Sequence, residues 1–394
     1  MKHLLYIGHE YHLKTQSTAF LREIFETDYQ IDYIALDPQR GIEIPDSLEF
    51  TRTCYDAVVF FQLMPPLDNL LKKLTFSSGA LFPMYDGCMP LDDPIWEQYK
   101  SFTIINFSIT LHKAMSSRGW RSQYIQYFPE PKKDFSLGNQ RAAFLWQRIA
   151  AINANTASHL LTRIGFDSLH VHNASDPGEP HVDIISSNIE GKTVTYSSWF
   201  ENKESLLKEV EKASIYIAPR TFEGIGMSFL EAMSMGRCVI APDNPTMSEY
   251  ITHGKTGLLY NPHISLPTIE PPRSIRAIQL AAYNYIREGF RKWQTEKLNI
   301  LSWTSNQDLS KEETSATKIT PEYDTPQVSA SPSPQIEGCD SEVPKELYPC
   351  TKLEVLLFGT VPLISVLRRD GRPIKITLLG YLDIKIAKTI YGYE

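Results

Sequence analysis

The stretch that decides the fold is residues 217–240, IAPRTFEGIGMSFLEAMSMGRCVI. It begins with an apolar run, passes through a loop with two glycines, continues as a helix pattern and ends in a second apolar run. This order is the repeating unit of a parallel sheet covered by helices. Gly224 and Gly226 lie at the loop-to-helix junction, where unpaired backbone N–H groups and roughly half a positive charge favour a phosphate. The segment therefore predicts an anion-binding turn in an α/β lobe.

Two glutamates accompany these glycines, Glu223 just before them and Glu231 within the helix. The first can face a sugar beyond the phosphate, and the second can bind a ribose diol on the near side. Neither feature is specific alone. Two glutamates at this spacing occur by chance in many helices, and a glycine pair before a helix is also common. Their combination with Gly236, a following strand and THGKTGLLY at 252–260 is much more specific.

The same alternation of continuous apolar runs and helix patterns extends over most of the chain. Continuous runs are typical of strands that are buried on both faces of a parallel sheet. Before a Pro- and Lys-containing break at 128–139, strands are predicted at 3–8, 55–63, 79–86 and 102–107, and helices at 15–25 and 108–118. After it, strands are predicted at 142–146, 168–173, 193–196, 214–218 and 238–241, with helices at 155–163, 205–212, from 226, and at 247–252. Two successive α/β sheets indicate a bilobed protein with a cleft.

Four parts are expected along the chain: an α/β lobe at 1–130, a second at 131–303 closed by a long helix at 274–298, a linker at 304–350 and a tail at 351–394. The linker has nine Asp and Glu against three Lys and almost no apolar periodicity, which predicts disorder. The tail is basic and apolar and repeats weakly after 21 residues, LFGTVPLISV against LLGYLDIKIA. It suits either a β-hairpin module or an anionic membrane surface.

Composition excludes several classes of protein. The 394 residues carry a net charge of −7, which argues against a nucleic-acid partner. Five cysteines without a C-x-x-C pair fit neither a disulfide framework nor a zinc site, and no metal is expected. The chain has no run of eighteen apolar residues, and its first apolar run is too short for a signal peptide. We therefore expect a cytoplasmic protein.

On these residues, the chain resembles the retaining glycosyltransferases of glycosyltransferase family 4, the group 1 glycosyltransferases, with their E-x7-E donor site. The resemblance is good over 142–260, fair over the first lobe and absent from the linker. It implies the GT-B fold, in which two Rossmann-like parallel-sheet lobes face a central cleft. It also implies a nucleotide-sugar donor bound in the second lobe, an acceptor that is a saccharide or lipid-linked saccharide bound mainly by the first, and no cofactor.

The resemblance assigns roles to individual residues. Glu223 matches the glutamate that contacts the donor sugar, and Glu231 the one that binds the ribose hydroxyls. Glu249 matches a recurrent glutamate after the next strand and is also assigned to the donor site. The stretch that meets the pyrophosphate comprises Gly224, Ile225, Gly226, Met227 and Ser228.

The family holds the pyrophosphate with an Arg and a Lys, five residues apart, after the first strand of the second lobe. Here Arg148 is present, but Asn153 stands where the Lys is expected. The missing cation weakens leaving-group stabilisation unless another residue replaces it. The WQR segment and VHNASDPG at 171–178 resemble the variant of bacterial surface-polysaccharide enzymes, which make O-antigen or capsule.

In the first lobe, the loop at 8–15, GHEYHLKT, is expected to open into the cleft on the acceptor side through Gly8, His9 and His12. The family often has paired glycines there, and exposed loop histidines are an equally good interpretation. Asp86 is predicted to end a strand near the reacting carbon and to share the catalytic role with Glu223. A turn-forming Asp before Gly87 is nearly as compatible with the sequence.

The function that follows is retaining glycosyl transfer in surface-polysaccharide or lipopolysaccharide biosynthesis, with peripheral association at the inner face of the plasma membrane. The alternatives are other enzymes of the same fold or a non-catalytic scaffold. An epimerase would convert the nucleotide sugar without an acceptor. A phosphorylase would need a lysine for pyridoxal phosphate, and no motif marks one.

Overall fold

The structure is a computed structural model that describes residues 1–37, 43–175, 189 and 191–305, and the backbone of 351–357, 361–369, 372–378 and 382–384. The chain divides into two compact units, Met1–Thr317 and Lys318–Glu394. The expected disordered linker lies outside the described residues from 306 onward, as do residues 176–178 of the VHNASDPG segment. In the described residues, no helix is long and apolar enough to cross a membrane.

The first lobe is built on a six-stranded sheet whose paired strands all run parallel, in the order β2-β1-β3-β4-β5-β6. The strands are β1 Lys2–His9, β2 Tyr29–Leu36, β3 Cys54–Phe61, β4 Thr75–Phe82, β5 Thr103–Asn106 and β6 Ser122–Tyr124. The helices are α1 Tyr11–Thr15, α2 Ala19–Glu26, α3 Asp68–Leu71 and α4 Ile109–Ser116, with a 3-10 helix at Pro94–Tyr99. The central strands are buried along most of their length, as their continuous apolar runs require.

The second lobe has a parallel sheet in the order β12-β11-β10-β7-β8-β9. Its strands are β7 Asn139–Gln147, β8 Ser168–Asn173, β9 Thr193–Ser197, β10 Ala213–Ile217, β11 Cys238–Pro242 and β12 Leu258–Tyr260. The helices are α5 Ala154–Leu161, α6 Lys203–Glu211, α7 Met227–Ser234, α8 Met247–Tyr250, α9 Ile275–Glu296 and α10 Asn299–Thr304. This is the strand order of the doubly wound nucleotide-binding sheet, so the predicted pair of Rossmann-like lobes is confirmed.

The structure of the first lobe differs from the prediction in four details. Strand β2 was missed because it lies at the sheet edge and alternates apolar with polar residues. The helix predicted at 15–25 begins only at Ala19, as α2, because Gln16 before it takes a left-handed backbone with φ of 54°. The loop predicted at 8–15 holds the end of β1 and all of α1. Asp86 does not end a strand, because β4 stops at Phe82 and Asp86 lies in the following turn.

The C-terminal helices of this unit connect the two lobes. The Gln279 side chain of α9 donates to the carbonyls of Leu137 and Gly236, both at 2.8 Å, in the second lobe. Further along α9, the Trp293 ring packs against Phe20 and Tyr127 of the first lobe. Helix α10 then contacts α2, β4 and β5. Helix α9 therefore belongs to the packing of both lobes.

A buried arginine, Arg237, holds the chain segment before β7 against the rest of the second lobe by hydrogen bonds. The Arg237 side chain is fully buried and donates to the carbonyls of Glu211 at 2.9 Å and Met235 at 2.8 Å. It also donates to the carbonyls of Ala213 and Ser136. All of these acceptors are backbone carbonyls, and burial lowers the pKa of Arg237 to about 10. One guanidinium thus joins the segment before β7 to the strand and helix ends around it.

The second unit contains an antiparallel sheet with strands in sequence order. The strands are β13 Thr351–Leu357, β14 Val361–Arg369, β15 Arg372–Leu378 and β16 Leu382–Ile384. The two repeats predicted from the sequence, at 357–366 and 378–387, lie partly outside the described residues.

Candidate functional site

The site lies at the carboxyl ends of two neighbouring strands of the second sheet. From one of these strands the following strands run toward one edge of the sheet, and from the other they run toward the opposite edge. Strands β7 and β10 are neighbours, and the strand order reverses between them. Ligands of doubly wound sheets bind at the carboxyl ends of such strands. Arg148 follows β7 directly, and the loop at 218–226 follows β10. The topology therefore brings the predicted cation and the predicted phosphate loop together.

The loop requires glycine at its end. Gly226 is the N-cap residue of α7 and has a left-handed backbone with φ of 81°. A Cβ at this position would overlap the Phe229 ring, and one at Gly224 would lie 2.8 Å from Asp86 Oδ1. No side chain caps the N-terminus of α7, so its first-turn N–H groups are left for another acceptor. Glycine at both positions therefore lets an anion approach this backbone closely, and at Gly224 the Asp86 carboxylate does so in the structure.

A cavity of about 350 Å³ opens at this point and is lined by both lobes. Most of the predicted site residues line it, namely His9, His12, Asp86, Arg148, Glu223, Gly224, Ile225, Gly226, Met227 and Ser228. Four others do not, namely Gly8, Asn153, Glu231 and Glu249. The structure thus brings together the phosphate loop, the two predicted catalytic carboxylates and the two first-lobe histidines.

The charged side chains of the cavity come from both lobes. Arg220 Nη1 of the second lobe lies 3.0 Å from Asp86 Oδ2 of the first. Burial raises the pKa of Asp86, and the positive charge of Arg220 opposes this rise. Glu223 is only 7% exposed, and Arg148 stacks over the Trp146 ring with 4.9 Å from its guanidinium carbon to the ring centroid. Two guanidinium groups and two carboxyl groups therefore share one small cavity.

The first-lobe histidines are held as neutral hydrogen-bonding groups. His12 contacts Ser17 Oγ at 2.6 Å through Nδ1 and Gln62 Oε1 at 2.9 Å through Nε2. Burial lowers the pKa of His12 to about 4 and also lowers the pKa of His9. His9 Nδ1 accepts a hydrogen bond from the Tyr11 backbone at 2.9 Å. Both ring nitrogens of His12 are thus engaged within the first lobe, whereas the contact with Tyr11 leaves Nε2 of His9 for a hydroxyl group.

Asn153 has a local role in the structure. Its Oδ1 accepts hydrogen bonds from the backbone of Asn155 at 2.9 Å and Thr156 at 3.1 Å, which makes it the N-cap of α5. Its Nδ2 donates to the carbonyl of Ala150 at 2.9 Å. The side chain is therefore engaged at both ends outside the cavity, and its placement does not support the predicted contact with the donor.

Glu231 lies on α7 but faces a different space from Glu223. It lines a larger cavity of about 700 Å³, bordered by α6 and the segment at 129–134. Its carboxylate is ion-paired with Lys203 at the start of α6. Burial raises the pKa of Glu231, and Lys203 opposes the rise. The predicted pair of glutamates therefore serves two adjoining cavities.

Glu249 joins the lobes and does not line either of these cavities. Its carboxylate accepts hydrogen bonds from Ser108 Oγ at 2.8 Å and from the backbone of Ile109 at 2.9 Å and Thr110 at 3.0 Å. These groups form the N-terminus of α4 in the first lobe, where a negative charge is favourable. Glu249 is therefore a cap supplied across the lobe interface, and this placement does not support its predicted contact with the donor.

We expect Glu249→Ala to lower the free energy of unfolding by about 1–2 kcal/mol, the usual range for losing a helix cap. Urea denaturation followed by circular dichroism measures the change. Glu288→Ala is a matched control, because Glu288 is 59% exposed and pairs only within its own helix; its effect should stay below about 0.5 kcal/mol. Equal effects of the two variants would contradict the proposed cap.

An aromatic group lies beside the cavity at the ends of β7, β8 and β9. The His172 ring stacks on Phe200 at 5.0 Å between centroids and contacts the Trp146 ring edge-on at 5.4 Å. His172 Nδ1 contacts Ser197 Oγ at 2.9 Å, and the residue is 1% exposed. Burial, assisted by His170, lowers the pKa of His172 to about 4.

This burial predicts a pH dependence of stability. In the unfolded chain His172 binds a proton near its ordinary pKa of 6.5, whereas in the folded chain it does so only near about 4. Stability therefore falls as the pH drops through this window. Between about pH 7.5 and about pH 5, the wild type should lose about 1–2 kcal/mol more than His172→Gln, measured by urea denaturation. His263→Gln, at an exposed position, should behave as the wild type; a similar change there would contradict the assignment.

Several residues of the cavity were missed by sequence reasoning. They are Tyr11, Ser17, Phe61, Gln62, Met84 and Arg220. Arg220 stands three residues after β10, inside the stretch that decides the fold, and a cation beside the predicted phosphate loop was a usable signal. Gln62 directly follows an apolar strand and has a φ of 65°, but its conformation is not visible in the sequence.

Comparisons with known proteins agree with this geometry. Residues 143–266 match the model of the family described as Glycosyl transferases group 1. No match was found among curated proteins. The family match covers the second lobe from β7 to beyond β12, which is the lobe that carries the phosphate loop.

Solved structures show the same fold at low sequence identity. Trehalose-6-phosphate synthase OtsA has a TM-score of 0.54 and 10% identity, covering 78% of this chain and 99% of that chain. Sucrose-phosphate synthase from Thermosynechococcus elongatus has a TM-score of 0.52 and 13% identity, covering 77% and 98%. A glycosyltransferase from Rickettsia africae ESF-5 has a TM-score of 0.50 and 12% identity, covering 78% and 100%. The predicted GT-B fold is confirmed, and the fold and the family match together support a GT-B glycosyltransferase.

Proposed function

We propose that the protein transfers a sugar from a nucleotide-sugar donor to a saccharide or lipid-linked saccharide with retention of anomeric configuration. The observation that carries this proposal is the cavity in which Arg148, the glycine-lined start of α7 and Glu223 meet first-lobe side chains. A guanidinium, an uncapped helix N-terminus and a buried carboxylate in one cavity suit a diphosphate attached to a sugar.

The phosphate end of the cavity supplies leaving-group stabilisation. When the bond between the anomeric carbon and the phosphate oxygen breaks, negative charge develops on the diphosphate. Arg148 and the N–H groups at the start of α7 are positioned to stabilise that charge. Groups fixed in advance around a developing charge usually supply the largest part of catalysis.

Glu223 supplies a negative charge close to the donor sugar, which becomes positively charged in the transition state. As the bond breaks, the ring becomes oxocarbenium-like, and the Glu223 carboxylate stabilises it. The acceptor hydroxyl then attacks the anomeric carbon from the face that the phosphate leaves, and its proton passes to the departing phosphate oxygen. The new bond forms on the original face, so the configuration is retained, and no metal is needed for this step.

The acceptor side is formed by the first lobe. His9 through Nε2 and Gln62 through its amide nitrogen line this cavity and can hold hydroxyl groups, and His12 fixes the orientation of the Gln62 amide. Asp86 lies at the boundary between the lobes, where it can bind a hydroxyl of the acceptor or donor sugar. We propose surface polysaccharide as the biological product.

A screen of nucleotide sugars tests the proposed function. Purified full-length protein is incubated with UDP-, GDP-, ADP- and CMP-sugars, and binding and slow hydrolysis are measured before acceptors are added. We expect one nucleotide class to bind and its sugar to be transferred. Conversion of the donor sugar without an acceptor would favour the epimerase alternative, and no binding or turnover with any donor would favour a scaffold.

The tail at 351–394 fits a lipid-linked acceptor, because its seven Lys and Arg and its apolar residues suit an anionic membrane surface. We expect flotation of the full chain with vesicles of phosphatidylglycerol and phosphatidylethanolamine, and several-fold less with vesicles of phosphatidylcholine. Substituting Arg368, Arg369 and Arg372 by Gln in the full chain should remove the difference. Equal flotation of the wild-type chain with the two kinds of vesicle would reject the membrane role.

A further inference from the structure

Arg220 is a second guanidinium in the candidate donor cavity. It comes from the loop between β10 and α7, and it lines the cavity together with Arg148. Its Nη1 donates to Asp86 Oδ2 at 3.0 Å, and the two side chains are 28% and 12% exposed. The bond joins residues of different lobes, so one of its ends moves if the lobes move.

The Asp86 carboxylate lies where a bound anion would contact the phosphate loop. A Cβ on Gly224 would lie 2.8 Å from Asp86 Oδ1, so this carboxylate stands against the glycine segment of the phosphate loop. A phosphate entering there meets a like charge at close range, which is unfavourable in a partly buried site. It also meets Arg220, whose planar fork suits a phosphate as well as a carboxylate.

The charges of the cavity indicate how a phosphate can be bound despite the nearby Asp86 carboxylate. Arg148 and Arg220 balance Asp86 and Glu223 in the protein alone. A diphosphate adds about two negative charges, and Arg148 alone does not offset them. Asn153 is uncharged and is engaged as the cap of α5. Arg220 is the cation within the same cavity that can change its partner.

We propose that Arg220 is the second phosphate-binding cation and that it exchanges the Asp86 carboxylate for the diphosphate when the donor binds. This inference rests on the proposed function. The exchange frees the Asp86 carboxylate at the lobe boundary, where it can accept a hydrogen bond from a sugar hydroxyl. Donor binding thereby completes the acceptor side, so the donor binds before the acceptor.

Titration calorimetry with UDP, GDP and ADP tests the exchange. Using the nucleotide that binds the wild type most tightly, we expect Arg220→Gln to weaken binding at least tenfold and Arg220→Lys to recover part of the loss. Asp86→Asn should strengthen binding several-fold because the competing carboxylate is gone. In the Arg220→Gln background, Asp86→Asn should bring a smaller gain, because only the like-charge repulsion is then removed. Arg276→Gln is the matched control, an exposed arginine of the same lobe, and should bind as the wild type.

The outcomes separate this inference from the proposed function. Binding to the wild type with unchanged affinity in Arg220→Gln overturns the role of Arg220 and leaves the proposed function standing. Weakened binding in Asp86→Asn means that Asp86 only positions Arg220, which overturns the exchange. If none of the three nucleotides and no nucleotide sugar of the screen binds the wild type, the donor site itself is rejected, and the inference falls with it. If Arg220→Gln does not fold, Arg220→Lys and Asp86→Asn give the same decisions.

Discussion

Replacing Glu223 by Gln is expected to reduce the rate of sugar transfer by about 10²–10³-fold while leaving the fold intact. The carboxylate is 7% exposed and lies in the cavity with Arg148 and the phosphate loop. Gln keeps the shape of the side chain but not its charge, so it cannot stabilise the oxocarbenium-like sugar. The measurement is kcat with the donor identified by the nucleotide-sugar screen, together with a thermal melt of each protein.

Glu201→Gln provides the matched control for this variant. Glu201 is exposed on the same lobe and does not line the cavity, so its kcat should equal that of the wild type. Full transfer activity in Glu223→Gln, with donor affinity unchanged, would remove Glu223 from the catalytic machinery.

Gly226→Ala is expected to destabilise the protein by about 2–4 kcal/mol, and to weaken binding of nucleoside diphosphates in whatever fraction remains folded. Two costs add at this position. The left-handed backbone disfavours any residue with a Cβ, and the added methyl group would overlap the Phe229 ring. Relief of the overlap must move α7 or its first turn, and the first-turn N–H groups move with it. Urea denaturation and calorimetry measure the two effects.

Gly119→Ala separates the two costs. Gly119 has a similar φ of 78° but has no atom within 4 Å of an added Cβ. Gly119→Ala should therefore lower the free energy of unfolding by the backbone cost alone, about 1–2 kcal/mol. If Gly226→Ala lowers the free energy of unfolding no more than Gly119→Ala does, the overlap with Phe229 is not real. The shape of the phosphate loop then does not depend on the absence of a Cβ beside that ring.

The sequence was sufficient for the parts of the fold that depend on neighbouring residues. Strand β8 was predicted with its observed bounds, and the order strand, loop, helix, strand around Gly226 was also predicted. Both depend on apolar periodicity and on glycine, which act within a few residues. Strand β2 was missed because an edge strand is only half buried and does not need a continuous apolar run.

The roles of single charged residues were harder to predict, because their partners are distant in sequence. Glu249 was assigned to the donor on its position after a strand, but its carboxylate meets the backbone of Ile109, 140 residues earlier. Asp86 and Arg220 are 134 residues apart. No local pattern in the sequence reports such a contact, whereas the closeness of Arg148 to the phosphate loop follows from strand order alone.

Arg237 has a consequence for how the enzyme can move. Its guanidinium binds the carbonyl of Ser136 to those of Glu211, Ala213 and Met235, so the chain is anchored to the second lobe before β7 begins. Upstream of it, the Lys132 N–H donates to the Ser234 carbonyl and the Tyr283 hydroxyl donates to the Lys132 carbonyl. If the lobes rotate against each other, this connection must therefore bend before Lys132, and the connection through α9 must bend as well. A lysine has one nitrogen and could not reach four carbonyls at once. The place where this connection can bend is therefore set by residues outside the cavity.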